Sequence, residues 1–348
     1  MNSKLFRRLA LLCLFPLSLQ IASAWDYEGH RLVNQLALAS LPADFPAFAH
    51  DAVAADRIAF LAGEPDRWRN NPDLPLRHVN GPDHYIDIEE LAHYDLKPEA
   101  LPMFRDDFIA ELAIYRHEHP DKFAYLAHQR NDDHTRQLVG LLPWAIVENF
   151  AKLKSCFAYL KAFEQHGGTP EEIANAQANV IYVMGILGHF AGDASQPLHS
   201  TIHHHGWVGE NPNHYSTDSG IHSKIDGFFK HDPEATLHEL TPRVHTAETI
   251  SVQGHNANAE QVFRAAVNFI VDQQKLVEPL YKMEKAEKFE EGNEEGKAFL
   301  EGQLLKSGQL LGSLWVTAWQ EAPTDKYLSE QLARRHHTEP TPAAAAGK

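Results

Sequence analysis

The sequence predicts an all-α fold, a multi-helix bundle with long loops. Apolar residues recur at helical spacing along most of the chain, whereas alternating strand patterns with Asn-Gly turns are scarce. One helix start is explicit, because Thr169-Pro170-Glu171-Glu172 combines a capping residue, a proline and two acids. The predicted helices span residues 28–40, 45–61, 104–118, 140–165, 171–192, 257–282 and 294–320.

The first 24 residues have the pattern of a secretory signal peptide. Three basic residues precede an apolar run over 9–21, and a small-residue cleavage signal ends at Ala24. We therefore expect cleavage between Ala24 and Trp25 and a protein that is secreted or periplasmic. The apolar run is too short for a membrane span, and no later segment has eighteen consecutive apolar residues.

The rest of the chain reads as one domain with a tail. Residues 25–333 are predicted to form a single all-α domain, and 334–348 a disordered tail rich in proline and alanine. Within the domain, 200–221 reads as one long glycine-containing loop. A loop of that length in a compact domain is usually functional.

Composition limits the classes of partner. The net charge of −16 becomes about −19 once the predicted leader is removed, because the leader has three bases and no acid. That charge disfavours broad electrostatic capture of nucleic acid. A phosphate substrate is still possible, because bound divalent cations are often the largest local charges in a site. The chain has 23 histidines to supply ligands for such cations.

The strongest local signal is a histidine–aspartate pair at helical spacing. His189 and Asp193 lie four residues apart, so their side chains share one helix face. Pro197 then ends the helix, and His199 follows within the same eleven residues. Imidazole and carboxylate ligands without a thiolate indicate a divalent-metal site and favour zinc left open to water.

Four other stretches hold ligand-type residues. His30 follows the predicted new terminus by five residues, and His222 and Asp226 repeat the His-x3-carboxylate spacing. Asp66 lies beside several arginines, with Asp56 and Asp73 as alternatives, and His84 lies between acids, with His78 as its alternative.

Together these motifs resemble the family that joins the fungal single-strand-specific zinc nucleases to the bacterial zinc-dependent phospholipases C. Two features carry the resemblance: a tryptophan, Trp25, at the expected mature terminus, and a His-x3-Asp helix running into Gln-Pro-Leu-His. The matching positions span 25–226. The resemblance implies an all-α monomer in which three Zn²⁺ ions hydrolyse phosphate esters.

Transferred residue by residue, the resemblance implies three ligand sets and two catalytic roles. One zinc ion would be held by Asp66, His84, His189 and Asp193. A second would be held by Trp25, through its α-amine and carbonyl, and by His30, with Asp193 bridging to the first ion. The third would be held by His199, His222 and Asp226. Asp66 would also orient the attacking water, and Arg69 would stabilise transition-state charge.

Ligand spacing favours the nuclease branch. Trp25 lies close to His30, 22 residues separate His199 from His222, and the last ligand is an aspartate. Tyr85 and Asp87 are similar to the nuclease pair that stacks on a base and hydrogen-bonds it. This branch implies hydrolysis of single-stranded DNA or RNA to 5′-nucleotides, with 3′-nucleotidase activity.

Other interpretations stay open at this point. His222-Ser223-Lys224 resembles the phospholipase version of the motif, which implies phospholipase C activity on phosphatidylcholine-like lipids. An insertion over 88–140 could reshape the substrate cleft. The chain could also be a non-enzymatic zinc-binding protein of the cell envelope. The run 203–205 of three histidines is predicted to be exposed loop, with a substrate-facing role as the alternative.

Overall fold

The structure is a computed structural model that describes residues 25–124, 126, 131–252, 255–256 and 258–338. The predicted signal peptide, 1–24, and the last ten residues of the predicted tail lie outside the described residues. Among the described residues, no helix is both long enough and apolar enough to cross a bilayer.

Within these ranges the chain forms thirteen α-helices, which confirms the all-α prediction. They are α1 (Tyr27–Ser40), α2 (Ala52–Leu61), α3 (Glu64–Arg69), α4 (Leu74–Asn80), α5 (Arg105–Glu118), α6 (Leu142–His166), α7 (Pro170–Ser195), α8 (Ile221–Asp226), α9 (Pro233–Leu240), α10 (Ala259–Gln274), α11 (Val277–Lys285), α12 (Glu294–Glu321) and α13 (Lys326–Thr338). The described β structure is a two-residue antiparallel pair, β1 (Ser251–Val252) and β2 (His255–Asn256), with two isolated bridges.

Short 3-10 helices connect several of the α-helices. They span Ala47–His50, Gly81–His84, Ile88–Tyr94, Pro98–Ala100, Pro120–Lys122, Pro197–Ser200 and Thr241–Arg243. Four of the seven lie between α2 and α6, and three of those fall within the expected insertion over 88–140.

Each predicted helical segment contains one or two observed helices. The segment 45–61 is divided at Asp51, whose side chain accepts a hydrogen bond from the backbone N–H of Val53 at 2.9 Å and caps α2. The helices α3, α4, α8 and α9 were not predicted, because six to eight residues are too few for apolar periodicity to register.

The predicted boundary of the disordered tail needs correction. Helix α13 continues to Thr338, so 334–338 are helical rather than part of a disordered tail. Leu332 is fully buried, and Arg335 donates a hydrogen bond to Glu172 of α7 at 2.8 Å. These contacts hold the helix against the domain, an effect that the composition of the segment does not reveal.

The core lies among the long helices α1, α6, α7 and α12, with α2 and α10 packed against them. Asn34 of α1 links this helix to α2 and α7, because its side-chain amide donates hydrogen bonds to the carbonyls of Ile58 in α2 and Gly185 in α7. Gly188, one turn further along α7, lies directly against Asn34. A Cβ atom at Gly188 would come within 1.6 Å of Asn34 Oδ1, so only glycine fits there.

Gly188→Ala is expected to lower the free energy of unfolding by about 2 to 3 kcal/mol, because the added methyl group displaces a buried and bonded amide. Gly302→Ala is the matched control. Gly302 lies in the interior of α12 with nothing within 4 Å of its Cβ position, so alanine there should stabilise by up to about 1 kcal/mol. Urea denaturation measures both values. Equal stabilities for the two variants would contradict the close packing of α1 on α7.

Candidate metal centre

The predicted ligand residues converge on one buried region. They come from α1, α3, α7, α8, the 3-10 turns at 81–84 and 197–200, and the start of the described chain. None is more than 9% exposed: Trp25, His30, Asp66, His84, His189, Asp193, His199, His222 and Asp226. Three groups have potential ligand atoms within 4.8 Å of one another: His30, Asp66 and His189; His84, His189 and Asp193; and His199, His222 and Asp226.

Helix α7 and the turn after it supply the centre of this region. The helix begins at a capping box in which Thr169 and Glu172 bond each other's backbone N–H groups. Seventeen residues after Glu172 in the same helix, His189 Nε2 lies 3.4 Å from Asp193 Oδ2. The turn over 197–200 then returns the chain, so that His199 Nδ1 lies 3.8 Å from Asp193 Oδ1.

Backbone carbonyls orient two of the imidazoles. His189 Nδ1 lies 2.7 Å from the carbonyl oxygen of Ala62, and His199 Nδ1 contacts that of His84. A carbonyl oxygen only accepts, so each Nδ1 carries the proton and each neutral ring keeps its lone pair on Nε2. Such contacts fix the tautomer of metal-binding histidines. Both Nε2 atoms point into the centre.

Asp193 lies between two of the ligand groups. Its Oδ1 is 3.5 Å from His30 Nε2, and its Oδ2 is 3.1 Å from His84 Nδ1. The His30 ring also stacks on His189 with ring centroids 3.8 Å apart. The two carboxylate oxygens therefore face different histidines, the geometry that a bridging carboxylate requires.

The third group has its own supporting contact. His222 Nε2 is 3.0 Å from His199 Nε2 and 3.2 Å from Asp226 Oδ2. Gln196 donates a hydrogen bond of 2.6 Å to Asp226 Oδ1, which orients that carboxylate. Gln196 is the first residue of the Gln-Pro-Leu-His motif, but the sequence alone did not indicate this role.

Trp25 lies at the edge of the centre. Its indole N–H donates to Ser195 Oγ at 3.3 Å, and the backbone N–H of Asp26 donates to the carbonyl of Asp226 at 3.2 Å. A Cβ atom on Gly192 would lie 3.7 Å from the Trp25 ring and 2.6 Å from His30 Nδ1. The backbone of Trp25 is thus held beside α7 and the end of α8.

Burial shifts the pKa values of the whole group. It lowers the pKa of His189 to about 4 and that of His199 to about 3, and it lowers the pKa values of His30, His84 and His222 well below the usual value. It raises the pKa values of Asp193 and Asp226 well above the usual range, against the opposing charge of Arg69 and the Gln196 hydrogen bond. The histidines are therefore neutral, which is the state that binds metal.

Several buried polar atoms in this region lack a hydrogen-bond partner among the described residues. They are both ring nitrogens of His30, His84 Nε2, Asp193 Oδ1, His222 Nδ1 and Asp226 Oδ2. Leaving such atoms unsatisfied costs about 1 to 3 kcal/mol each. Zinc binds imidazole nitrogen at about 2.0–2.1 Å, so two nitrogens on one tetrahedral ion lie roughly 3.3 Å apart. The donor set and its spacing fit divalent cations of this kind.

The competing ligand candidates lie elsewhere. Asp56 and Asp73 are exposed, and Asp73 precedes α4 at its N-cap position. His78 is also exposed, and its Nδ1 lies 2.7 Å from the carbonyl of Asp133. All three are absent from the three ligand groups of the described residues.

A cleft of about 690 Å³ opens beside the centre. Its lining includes His199 and His222 as well as the predicted residues Arg69, Tyr85 and Asp87. Arg69 Nε lies 2.7 Å from Asp66 Oδ1, so Arg69 is anchored on the ligand that the resemblance assigns to the attacking water. Burial, reinforced by nearby Glu89 and Glu90, raises the pKa of Asp87 to about 8.

The segment that carries Tyr85 and Asp87 is fixed on both sides. The N–H of Ile86 donates to the carbonyl of His199 at 2.9 Å, and the N–H of Asp87 to that of Val139 at 2.7 Å. Gly140 lies against the carbonyl of Tyr85 at a positive φ of 98°, where a Cβ atom would approach to 2.1 Å. Glycine is therefore required where the insertion returns to the cleft.

The cleft also contains residues that sequence reasoning did not place there. Residues 132, 133, 135 and 136, within the expected insertion, form one side together with Arg77. His204 and His205 also line the cleft, so these two face it as in the alternative given for the run 203–205, and His205 is exposed in the loop as predicted. His203 points elsewhere and stacks on Trp207 with centroids 4.0 Å apart. The three histidines look alike in the sequence, because which of them face the cleft depends on how the loop folds back in space.

A scan of protein-family models and a search of curated proteins found no match to this chain.

Zinc binding to metal-free protein that begins at Trp25 should release about three protons at pH 6: one each from Asp193 and Asp226, whose pKa values burial raises, and one from the α-amine of Trp25, while the buried histidines are already neutral. Calorimetric titrations in two buffers of different ionisation enthalpy give this number. Asp193→Asn should release about one proton fewer. A release of only about one proton, the contribution of the α-amine, would show that both carboxylates are already charged in the metal-free protein.

Proposed function

We propose that this protein is a three-zinc phosphodiesterase that hydrolyses single-stranded nucleic acid to 5′-nucleotides, with 3′-nucleotidase activity. One observation carries the proposal: Asp193 faces histidines of two ligand groups, and the region opens into a cleft that contains an arginine. A closed site built only to store metal would need neither the cleft nor Arg69.

The residues present can be assigned to roles in phosphate-ester hydrolysis. Zinc at this centre would supply a bound water of lowered pKa and positive charge opposite the phosphate. Asp66, 9% exposed and in contact with Arg69 of the cleft lining, would orient the water. Arg69, held by Asp66 at 2.7 Å, would donate hydrogen bonds to the phosphate oxygens as negative charge develops.

The chemistry of the cleft supports a nucleic-acid substrate over a lipid. With a pKa of about 8, Asp87 is mostly protonated at neutral pH and can both donate to and accept from a base edge. Its Oδ1 atom is buried without a hydrogen-bond partner among the described residues, so an incoming base would satisfy it. Arginine, threonine and histidine side chains make up most of the remaining lining.

We further propose that export precedes metal binding. Cleavage after Ala24 would release the α-amine of Trp25, and the N–H of the next residue already bonds Asp226. In the uncleaved chain the backbone nitrogen of Trp25 would be part of a peptide bond, so it could not act as one of the proposed metal ligands. The protein used in the experiments below therefore begins at Trp25.

The activity is tested on denatured DNA and phosphatidylcholine vesicles in parallel, with zinc content measured on the same samples. We expect about three zinc ions per chain and hydrolysis of denatured DNA only. Hydrolysis confined to the vesicles would assign phospholipase C activity instead. Full zinc content with no hydrolysis of either substrate would assign a zinc-binding protein of the envelope.

Arg69→Met should lower kcat on denatured DNA by about 100-fold at unchanged zinc content, because removing a preorganised donor to developing charge costs this much. Arg67→Met is the matched control. Arg67 lies on the same short helix, but its guanidinium packs over the rings of Tyr27 and Phe60, 5.3 and 4.6 Å from their centroids. Similar losses in both variants would mean that α3, rather than Arg69, is responsible.

A further inference from the structure

A second depression adjoins the cleft. It has a volume of about 400 Å³, and it shares a border with the cleft that includes Arg69, Arg77 and Tyr85. On its far side it is lined by Asn70, Asn71 and a neighbouring proline and glycine, which do not line the cleft. Each depression lies within the roughly 300–1,000 Å³ of small-ligand sites. The surface thus offers two compartments that meet at Arg69.

Arg77 and the insertion form the shared wall of the two compartments. Arg77 Nη2 lies 2.9 Å from Asp133 Oδ2, and His78 on the same helix contacts the carbonyl of Asp133. Asp133 Oδ1 accepts a hydrogen bond from Thr135 Oγ1 at 2.9 Å, which orders the segment that follows. Arg77 is about one-third exposed, and a guanidinium has five N–H donors, so it can contact a ligand while bound to Asp133.

We propose that the second depression is a polar subsite for the group on the far side of the scissile phosphate, with Arg77 as its specificity-determining residue. The inference rests on the proposed function and narrows its substrate class: the preferred substrate has a hydrogen-bonding unit, a nucleotide, on both sides of the phosphorus. The second depression offers amide, hydroxyl and guanidinium groups.

The experiment compares the dinucleotide d(TpT), which would fill both compartments, with thymidine 3′-phosphate, which needs only one. Arg77→Met should raise KM for d(TpT) about tenfold, the effect of losing a hydrogen bond to a charged donor, with kcat unchanged. Asn70→Ala, which alters only the second depression, should raise the same KM about threefold. KM for thymidine 3′-phosphate should not change in Asn70→Ala, and in Arg77→Met it should rise much less than KM for d(TpT), because Arg77 also lines the first cleft.

Arg136→Met is the matched control, because Arg136 lines the first cleft but not the second depression. It should affect the two substrates to the same degree. Asp133→Asn separates direct contact from a purely structural role of Arg77. If Arg77 contacts the substrate, Asp133→Asn leaves KM for d(TpT) unchanged or lower. A tenfold rise in both Asp133→Asn and Arg77→Met would overturn direct recognition by Arg77.

Measuring the binding of ligands that cannot be hydrolysed tests the subsite independently of the proposed activity. Calorimetry of zinc-loaded protein with a phosphonate-linked dithymidine and with a thymidine phosphonate measures occupancy of the subsite directly. The subsite is supported if the wild-type protein binds the dithymidine more tightly than the thymidine phosphonate and if Arg77→Met abolishes this difference. If that result is obtained but neither natural substrate is hydrolysed, only the proposed function fails. Equal affinities of the wild-type protein for the two phosphonates would reject the subsite.

Discussion

The burial of carboxylates among imidazoles is the constraint on which this structure depends. Asp193 and Asp226 are at most 2% exposed, and the nearest histidines are neutral, so among the described residues the main groups that offset the two negative charges are Arg69 at the border and the Gln196 hydrogen bond to Asp226. Burying a charge without compensation costs several kcal/mol. Either the carboxylates stay protonated or divalent cations enter, and the unpartnered atoms around them favour cations. Because the ligands come from helices far apart in the chain, cation binding would also stabilise the packing of those helices.

The centre and the cleft beside it are built from different kinds of segment. The proposed metal ligands lie mainly on helices or tight turns whose positions are fixed by packing, such as Asn34 against Gly188 and the carbonyl contacts of His189 and His199. The cleft walls come largely from the segments 85–87 and 132–136 and from the loop that carries His204. A change in the walls can therefore alter which ester is accepted without moving the centre, which is why the resemblance at the ligands alone does not decide between nucleic acid and lipid.

The sequence predicted most of the helical fold and, with the family resemblance, named the eight histidines and aspartates that form the three ligand groups. Helical periodicity and the i, i+4 spacing are local properties, so 171–192 and the pair His189/Asp193 can be read without knowing the fold. Short helices such as α3 and the docking of α13 depend on distant contacts. That His205 faces the cleft and His203 does not depends on where a long loop returns in space. Gln196 lacked a role because its partner, Asp226, is 30 residues away.

The net charge of −16 adds a last constraint on how a polyanionic substrate could be held. A negatively charged surface repels nucleic acid at long range, so binding energy must come from the cleft itself. Three arginines, Arg69, Arg77 and Arg136, line the cleft, but Arg69 and Arg77 are each paired with an aspartate. The arginines therefore orient a phosphate more than they attract it, and the net attraction has to come from cations at the centre. Substrate affinity and metal content are thereby coupled, because a protein without metal would present a nearly neutral cleft on an acidic surface.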